Sequence, residues 1–322
     1  MAFDLQAPSF ICAFHFHAGR ADALAEQDSL KERLAAEGFV WIHFGLADSR
    51  CQKWLREALG LSAEMAADFC RPATRQYLAE AQGWLIGTIS DFLREFDMDS
   101  PAHAWLHVLA NGKVLVTGRS RAVQSAERVR RELVMGRVPQ SPLELLGMLL
   151  VNYPDTLDTI LHRLLGELEV IEDHVLEEQH HGERRQLMLA RREAAQLHRH
   201  TRALRRTLVF AEREITQQPP QLPGIVSRLT SHDQDFEALE RRARFFHDEI
   251  DAKLAAETNR QLYILSALTA LLLPPSLVAG LFGMNVQGSP LDGSSPGFWL
   301  AVALCGLSSI AVSLLLARMN KR

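Results

Sequence analysis

Residues Gln261 to Val286 read QLYILSALTALLLPPSLVAGLFGMNV, a run with no charged residue and no histidine. A second run, FWLAVALCGLSSIAVSLLLA, covers Phe298 to Ala317 and is equally uncharged. A helix of about 20 apolar residues crosses a hydrocarbon layer roughly 30 Å thick, and both runs reach that length. A soluble fold would have to bury two helices that are apolar all round. The sequence therefore predicts two membrane-spanning helices in its C-terminal part. Neither run reads as a signal peptide, since both are C-terminal and the opening MAFDLQAPSF has no basic region.

Averaged over 322 residues, the chain looks soluble: 47% apolar, 23% charged, with 35 Lys+Arg against 39 Asp+Glu. Those averages exclude a disordered, collagen-like or disulfide-stapled chain. Cys12, Cys51, Cys70 and Cys305 form no C-x-x-C pair, so no zinc knuckle or redox motif is spelled out. A formal charge of −4 gives no case for nucleic acid. The charge is segregated. Beyond Glu257 the only charged residues are Arg260, Asp292, Arg318, Lys321 and Arg322. Basic flanks around a loop without Lys or Arg, Gln287 to Gly297, place both termini in the cytoplasm and the loop outside. An inner-membrane protein with an acidic cytoplasmic part and reduced thiols follows.

Residues 1–140 read as a cytoplasmic α/β domain. FICAFHFHA and FVWIHFGL look like strands, and SRCQKWLREALG and SAEMAADFC like short helices. AHAWLHVLANGKVLVTGRS reads as two alternating runs joined by Asn111-Gly112, which suits a type I′ hairpin. Residues 141–222 read as a charged helical hairpin broken at Gly182 and ended by Pro219, Pro220 and Pro223. The Arg run of its second helix (Arg184, Arg185, Arg191, Arg192, Arg199, Arg202, Arg205, Arg206) is expected to pair with Glu167, Glu169, Glu172, Glu177 and Glu178 of the first. An alternative is a basic face toward anionic lipid or the ion path.

Residues 223–285 read as a stalk helix that continues into the first span. Ser231 with Gln234 suggests a capping box. Phe236, Leu239, Ala243, Phe246, Ile250 and Leu254 recur at 3–4 spacing on an otherwise charged rod. From Ser231 to Phe282 such a helix would measure on the order of 75 Å. Its stripe could pack on its own domain, but a rod entering the bilayer is expected to pack on copies of itself. Residues 286–297 form the outer loop, and 298–322 the second span with a basic tail.

Two helices cannot enclose a water-filled path, so a transport role requires an oligomer. The first span suits a pore liner. Pro274-Pro275 frees carbonyls one turn earlier, tolerable only against protein or water, and a helix kink is expected there. Ser276, Gly280 and Gly283 offer small or polar surface. The span closes on Gly283-Met284-Asn285.

Gly-Met-Asn at the end of the first of two C-terminal spans, after a helical stalk, resembles the CorA family of divalent-cation transporters. The resemblance covers the whole chain. It is strongest to the ZntB zinc-transporter branch, carried by Leu281-Phe282-Gly283-Met284-Asn285-Val286, then Gln287-Gly288-Ser289-Pro290, and by Val40-Trp41-Ile42-His43 and Lys113-Val114-Leu115-Val116. The resemblance implies a homopentamer in the lipid bilayer with the first span around the axis. Gly283, Met284 and Asn285 would form the mouth, and Asn259, Leu262, Leu265, Leu273 and Ser276 the pore stripe. The Met-Pro-Glu-Leu loop common in magnesium-transporting members is absent, leaving Asp292 as the anionic group near the mouth. Pro275 stands where the family usually has Ser or another residue compatible with a helix, and the family's cytoplasmic Asp pair has no matching positions here.

Between Gln261 and Val286 no Asp, Glu, His or Cys could hold a stripped ion, and a bare divalent ion there would be prohibitive. The workable alternative is a hydrated ion whose waters donate to the Asn285 side-chain oxygen and the Gly283 carbonyl. Zn²⁺ is the expected cargo on resemblance, with Mg²⁺ or Co²⁺ as the alternative and no cofactor. A rival of another class is a membrane-anchored sensor or scaffold. His174, Glu177, Glu178 and His181 share one helix face with metal-ligand types, either a cytoplasmic metal site or a solvated hairpin tip. His15 with His17, and His103 with His107, read as satisfied histidines rather than ligands. Cys305 reads as a small apolar residue. No P-loop, H-E-x-x-H or G-x-S-x-G indicates an enzyme.

Overall fold

The computed structural model describes residues 10–25, 30–94, 102–176, 183–284 and 295–319. It divides into two compact units, Met1–Phe245 and Phe246–Arg322.

The first unit is built on a mixed seven-stranded sheet. Its strands are β1 (Phe10–His17), β2 (Arg20–Ala23), β3 (Phe39–Gly45), β4 (Tyr77–Ala81), β5 (Trp84–Phe92), β6 (His103–Ala110) and β7 (Val114–Arg119), in the order β2-β1-β3-β7-β6-β5-β4. Only β3 and β7 pair in parallel, with Val40 opposite Val114 and Ile42 opposite Val116. One face carries α1 (Leu30–Ala35), α2 (Arg50–Leu59) and α3 (Ala63–Cys70), which pack Trp54, Leu55, Met65 and Phe69 on Val40, Ile42, Phe44 and Val116. The sheet also touches α4 (Gln124–Val134), α5 (Pro142–Leu176) and α6 (Glu183–Glu214). Because helices cover the sheet, β6 and β7 are buried almost throughout rather than on alternate residues.

The β6–β7 connection departs from the expected type I′ turn, which needs positive φ at two central residues. Neither Asn111 nor Gly112 has one. Instead the Asn111 side-chain oxygen accepts from the Lys113 and Val114 amides, both at 2.8 Å, and the loop takes three residues. A side-chain turn has replaced the backbone turn.

The helix α5 runs through Pro154 as one element of 35 residues. It starts on a real cap: the Glu144 amide donates to Ser141 Oγ at 3.1 Å, with Pro142 in the first turn, where a missing N–H costs nothing. The next long helix, α7 (Leu222–Phe282, 61 residues), begins nine residues before the expected capping box, so Ser231 lies inside it. Here too prolines mark the start. The Leu222 amide donates to the Pro219 carbonyl, and Pro223 occupies the first turn. Along the stripe on α7, Phe236, Leu239 and Ala243 are buried within the first unit without any copy, Phe246 and Ile250 are buried too, and Leu254 is half-buried.

The expected Arg pairing is also redistributed. Arg202 and Arg205 of α6 reach Asp233 and Glu237 of α7 rather than α5. Glu172 of α5 is met by Arg242 of α7, and Glu167 by Arg163 of its own helix. A third long helix beside the hairpin offers shorter routes between opposite charges.

The second unit holds the apolar end of α7 and the helix α8 (Ser295–Met319). Both are long and apolar enough to cross a bilayer, and neither apolar window is buried.

Candidate functional site

The apolar end of α7 has two unlike sides. Ala267, Ala270, Leu271, Pro274, Pro275 and Val278 are half-buried. On α8, Ala301, Cys305, Ser308, Ser309, Val312 and Leu316 form a matching half-buried stripe. The Cys305 Sγ lies 3.5 Å from the Pro275 carbonyl oxygen, so these two stripes meet. Small residues at the seam permit close approach where no hydrophobic force drives helices together. Cys305 was expected to be a mere apolar filler; its thiol also donates to main chain.

On the other side, Asn259, Leu262, Leu265, Leu273 and Ser276 are all exposed. At about 100° per residue they span an arc of about 120° on the helix, roughly opposite the covered stripe. Thr269, Gly280 and Gly283 fall in the same arc and are exposed as well. Thr269 was overlooked in the sequence, although its seven-residue spacing from Ser276 is the signal for a shared face.

The hydroxyls on this arc have a fixed polarity. Ser276 Oγ donates to the Leu272 carbonyl at 2.7 Å, and Thr269 Oγ1 to the Leu265 carbonyl at 2.8 Å. Each proton is engaged by the backbone one turn earlier, so each oxygen turns lone pairs outward. The arc therefore offers acceptors, which suit the outward-pointing hydrogens of water around a cation. Backbone N–H groups are missing at Pro274 and Pro275, and α7 nonetheless continues through both to Phe282.

At the end of α7 the Gly283 amide donates to the Ala279 carbonyl at 2.9 Å. A Cβ on Gly283 would lie 3.1 Å from that same oxygen, tighter than ordinary contact. Met284 is exposed beside it. Asn285 and Asp292 lie outside the described residues, as do Glu177, Glu178 and His181 of the proposed cytoplasmic face; His174, near the end of α5, is half-buried. Tyr263 stands near one end of the apolar window of α7 and Trp299 near the start of α8, both exposed, as aromatic residues are at membrane interfaces.

The paired histidines serve the fold. Buried His15 donates Nε2–H to the Glu37 carbonyl at 3.0 Å, and His17 lies 2.6 Å from Asp22. His103 shares a hydrogen bond with Tyr153 and stacks on His200, with ring centroids 3.9 Å apart. Burial, followed by the charge of His200, pushes the His103 pKa down to about 3, so the ring is neutral. His107 is buried edge-on to Phe69.

Comparison with known proteins matches residues 36–318 to the model of the family described as CorA-like Mg2+ transporter protein. The chain is 27% identical over 286 residues to the divalent cation transporter CmaX of Pseudomonas aeruginosa, covering 85% of this chain and 84% of the relative. It is 24% identical over 270 residues to the zinc transport protein ZntB of Yersinia enterocolitica, covering 82% of each. The structure of the full-length CmaX protein superposes with a TM-score of 0.80 at 22% identity, covering 97% of this chain and 98% of that one.

Proposed function

Because the chain belongs to the family of CorA-like Mg2+ transporter proteins, we propose that it assembles as a homopentamer and passes hydrated divalent cations, Zn²⁺ among them, along the exposed arc of α7. Members of this family are transporters and not enzymes, and the chain is accordingly a membrane transporter of divalent cations. The observation that carries the finer reading is the arc itself. It is uncharged, it opposes the side covered by α8, and its Thr269 and Ser276 oxygens present lone pairs.

Such a surface cannot replace the inner waters of a divalent ion, and Mg²⁺ in particular gives them up reluctantly. It can accept hydrogen bonds from those waters, as can the Gly283 carbonyl and the Asn285 side chain at the mouth. With no His, Cys or carboxylate on the lining face, discrimination for Zn²⁺ is weak and related cations share the path. The names of the relatives run the same way, one being called a divalent cation transporter and the other a zinc transport protein. Basic flanks at Arg260, Arg318, Lys321 and Arg322 favour cytoplasmic termini in the inner membrane.

Uptake of Zn²⁺, Mg²⁺ and Co²⁺ into proteoliposomes tests this. The wild-type protein should carry Zn²⁺ alongside the others, and Asn285→Ala should lose most of the flux of all three. Uptake of Mg²⁺ without Zn²⁺ would replace the zinc reading with a Mg²⁺/Co²⁺ channel. No uptake of any cation would leave a membrane anchor.

A further inference from the structure

His198 of α6 is 7% exposed and is held between two carboxylates of α7. Its Nε2 lies 2.8 Å from Asp233 Oδ1 and its Nδ1 2.9 Å from Glu240 Oε1. A neutral imidazole has one N–H and one lone pair. With an acceptor on each side it can satisfy only one, and the other nitrogen then directs a lone pair at a carboxylate oxygen. Inside a buried site that contact is repulsive unless a second proton or a metal cation sits in it.

The groups around it decide which nitrogen faces the cation. Glu240 accepts from Nδ1–H, the arrangement by which a carboxylate orients a metal-binding histidine. Nε2 then faces α7. Asp233 Oδ2 is engaged by Arg205 at 3.1 Å, which leaves Oδ1 toward the histidine. Glu237, one turn along α7, brings a third donor, and one ligand atom each from His198, Asp233 and Glu237 lie within 4.8 Å of one another. Phe236 stacks on the imidazole at 5.7 Å and fixes its plane.

A second proton would make His198 an imidazolium that donates to both Asp233 and Glu240, but it would leave Glu237, the third carboxylate of the cluster, without a share. We propose that His198, Asp233 and Glu237 bind one Zn²⁺-like cation between α6 and α7, with Glu240 orienting the histidine. Zinc bonds to nitrogen and oxygen of about 2.0–2.2 Å put neighbouring ligands roughly 3.3 Å apart, so the 2.8 Å contact of His198 with Asp233 would open slightly and Glu237 would draw in. One imidazole with two carboxylates suits Zn²⁺ or Co²⁺ better than Mg²⁺, which takes oxygen ligands and keeps its water.

Four guanidiniums face the cluster. Besides Arg205, Arg202 lies 3.7 Å from Asp233 and 3.5 Å from Glu237, where it competes with the ion; it is half exposed and free to swing out. Arg241 and Arg244 reach the outer oxygens of Glu237 and Glu240 at 3.9 and 3.8 Å along the helix surface. This positive surround weakens binding. The inference does not depend on which cation the pore conducts, because occupancy is measured without flux.

The test uses the full-length protein in detergent, stripped with a chelator and dialysed against buffered free Zn²⁺, with bound metal counted per chain. His198→Gln and Asp233→Asn should each retain about one Zn²⁺ fewer than wild type, at unchanged oligomer mass. Wild-type zinc content in either variant overturns the site and leaves a proton between His198 and Asp233. Asn285→Ala, measured alongside, should keep the full zinc content even where its transport is lost, and loss of the same zinc equivalent in that variant would assign the ion to the pore instead.

Discussion

The Cys305 thiol donates to the main-chain oxygen of Pro275, 3.5 Å away, so the second apolar helix touches the first beside its proline pair. Around it the half-buried stripes carry small side chains, Ala301, Cys305 and Ser308 on α8 and Ala267, Ala270 and Pro274 on α7.

Enlarging that seam should therefore be costly. Cys305→Leu adds bulk where helices approach closely, and overpacking of this kind costs about 1–3 kcal/mol. Thermal unfolding of the detergent-solubilised protein should drop by several degrees for Cys305→Leu and change little for Cys305→Ala. Equal melting of both variants would mean that the seam is loose.

The two sides of α7 should differ in their access to water. Single cysteines at Leu265, Leu273 and Ser276, in a background lacking the native cysteines, should react in liposomes with a charged, impermeant thiol reagent. Cysteines at Ala267 and Val278 should react at least about tenfold more slowly, because the seam shields them. Matching rates at both sets would contradict the proposed lining face.

Gly283→Ala probes the mouth without touching a polar group. Its new Cβ would press on the Ala279 carbonyl, so the last turn of α7 must shift. Cation uptake should fall about tenfold, with the oligomer mass preserved. Undiminished uptake would show that the turn gives way freely.

Asp91 supplies a pH dependence. Its carboxylate accepts from the Ser125 amide and hydroxyl at the start of α4 and from the Phe92 amide. Burial outweighs these bonds and raises its pKa to about 6. The folded-state value lies above that of the unfolded chain. The stability this group contributes is therefore fully present below about pH 4 and is lost as pH rises through 6. Asp91→Asn is neutral throughout. Between pH 5 and 7 the stability of the variant relative to wild type should improve by about 1 kcal/mol, out of a full span of about 3 kcal/mol. A pH-independent difference in unfolding free energy would argue against a raised value.

How much of this was readable in advance depended on range. The spans follow from an uncharged stretch and need no partner to be recognised. The strands at FICAFHFHA and FVWIHFGL and the helices at Arg50–Leu59 and Ala63–Cys70 carry local patterns. The stalk read from residue 223 begins at Leu222, but the expected cap at Ser231 and Gln234 lies inside α7, whose start is set by Pro219 and Pro223. Arg202 and Arg205 were assigned to the neighbouring helix because sequence shows proximity along the chain and not across three helices. His198 and Asp233 stand 35 residues apart, and nothing local reveals that their side chains meet. Thr269 was in plain view, and its seven-residue spacing from Ser276 was a local signal that gained weight once the covered face was known.

The leucines at 262, 265 and 273 lie in the same arc as the two hydroxyls. In the proposed ring of copies they would form greasy collars next to the oxygen-bearing turns. Water crosses a wide collar and abandons a narrow one, so conduction through such a ring would be governed by wetting. An ion that keeps its hydration shell stops wherever the water column breaks. Shutting such a path takes no plug and no ligand within the membrane, only a slight tightening that lets the collar dry.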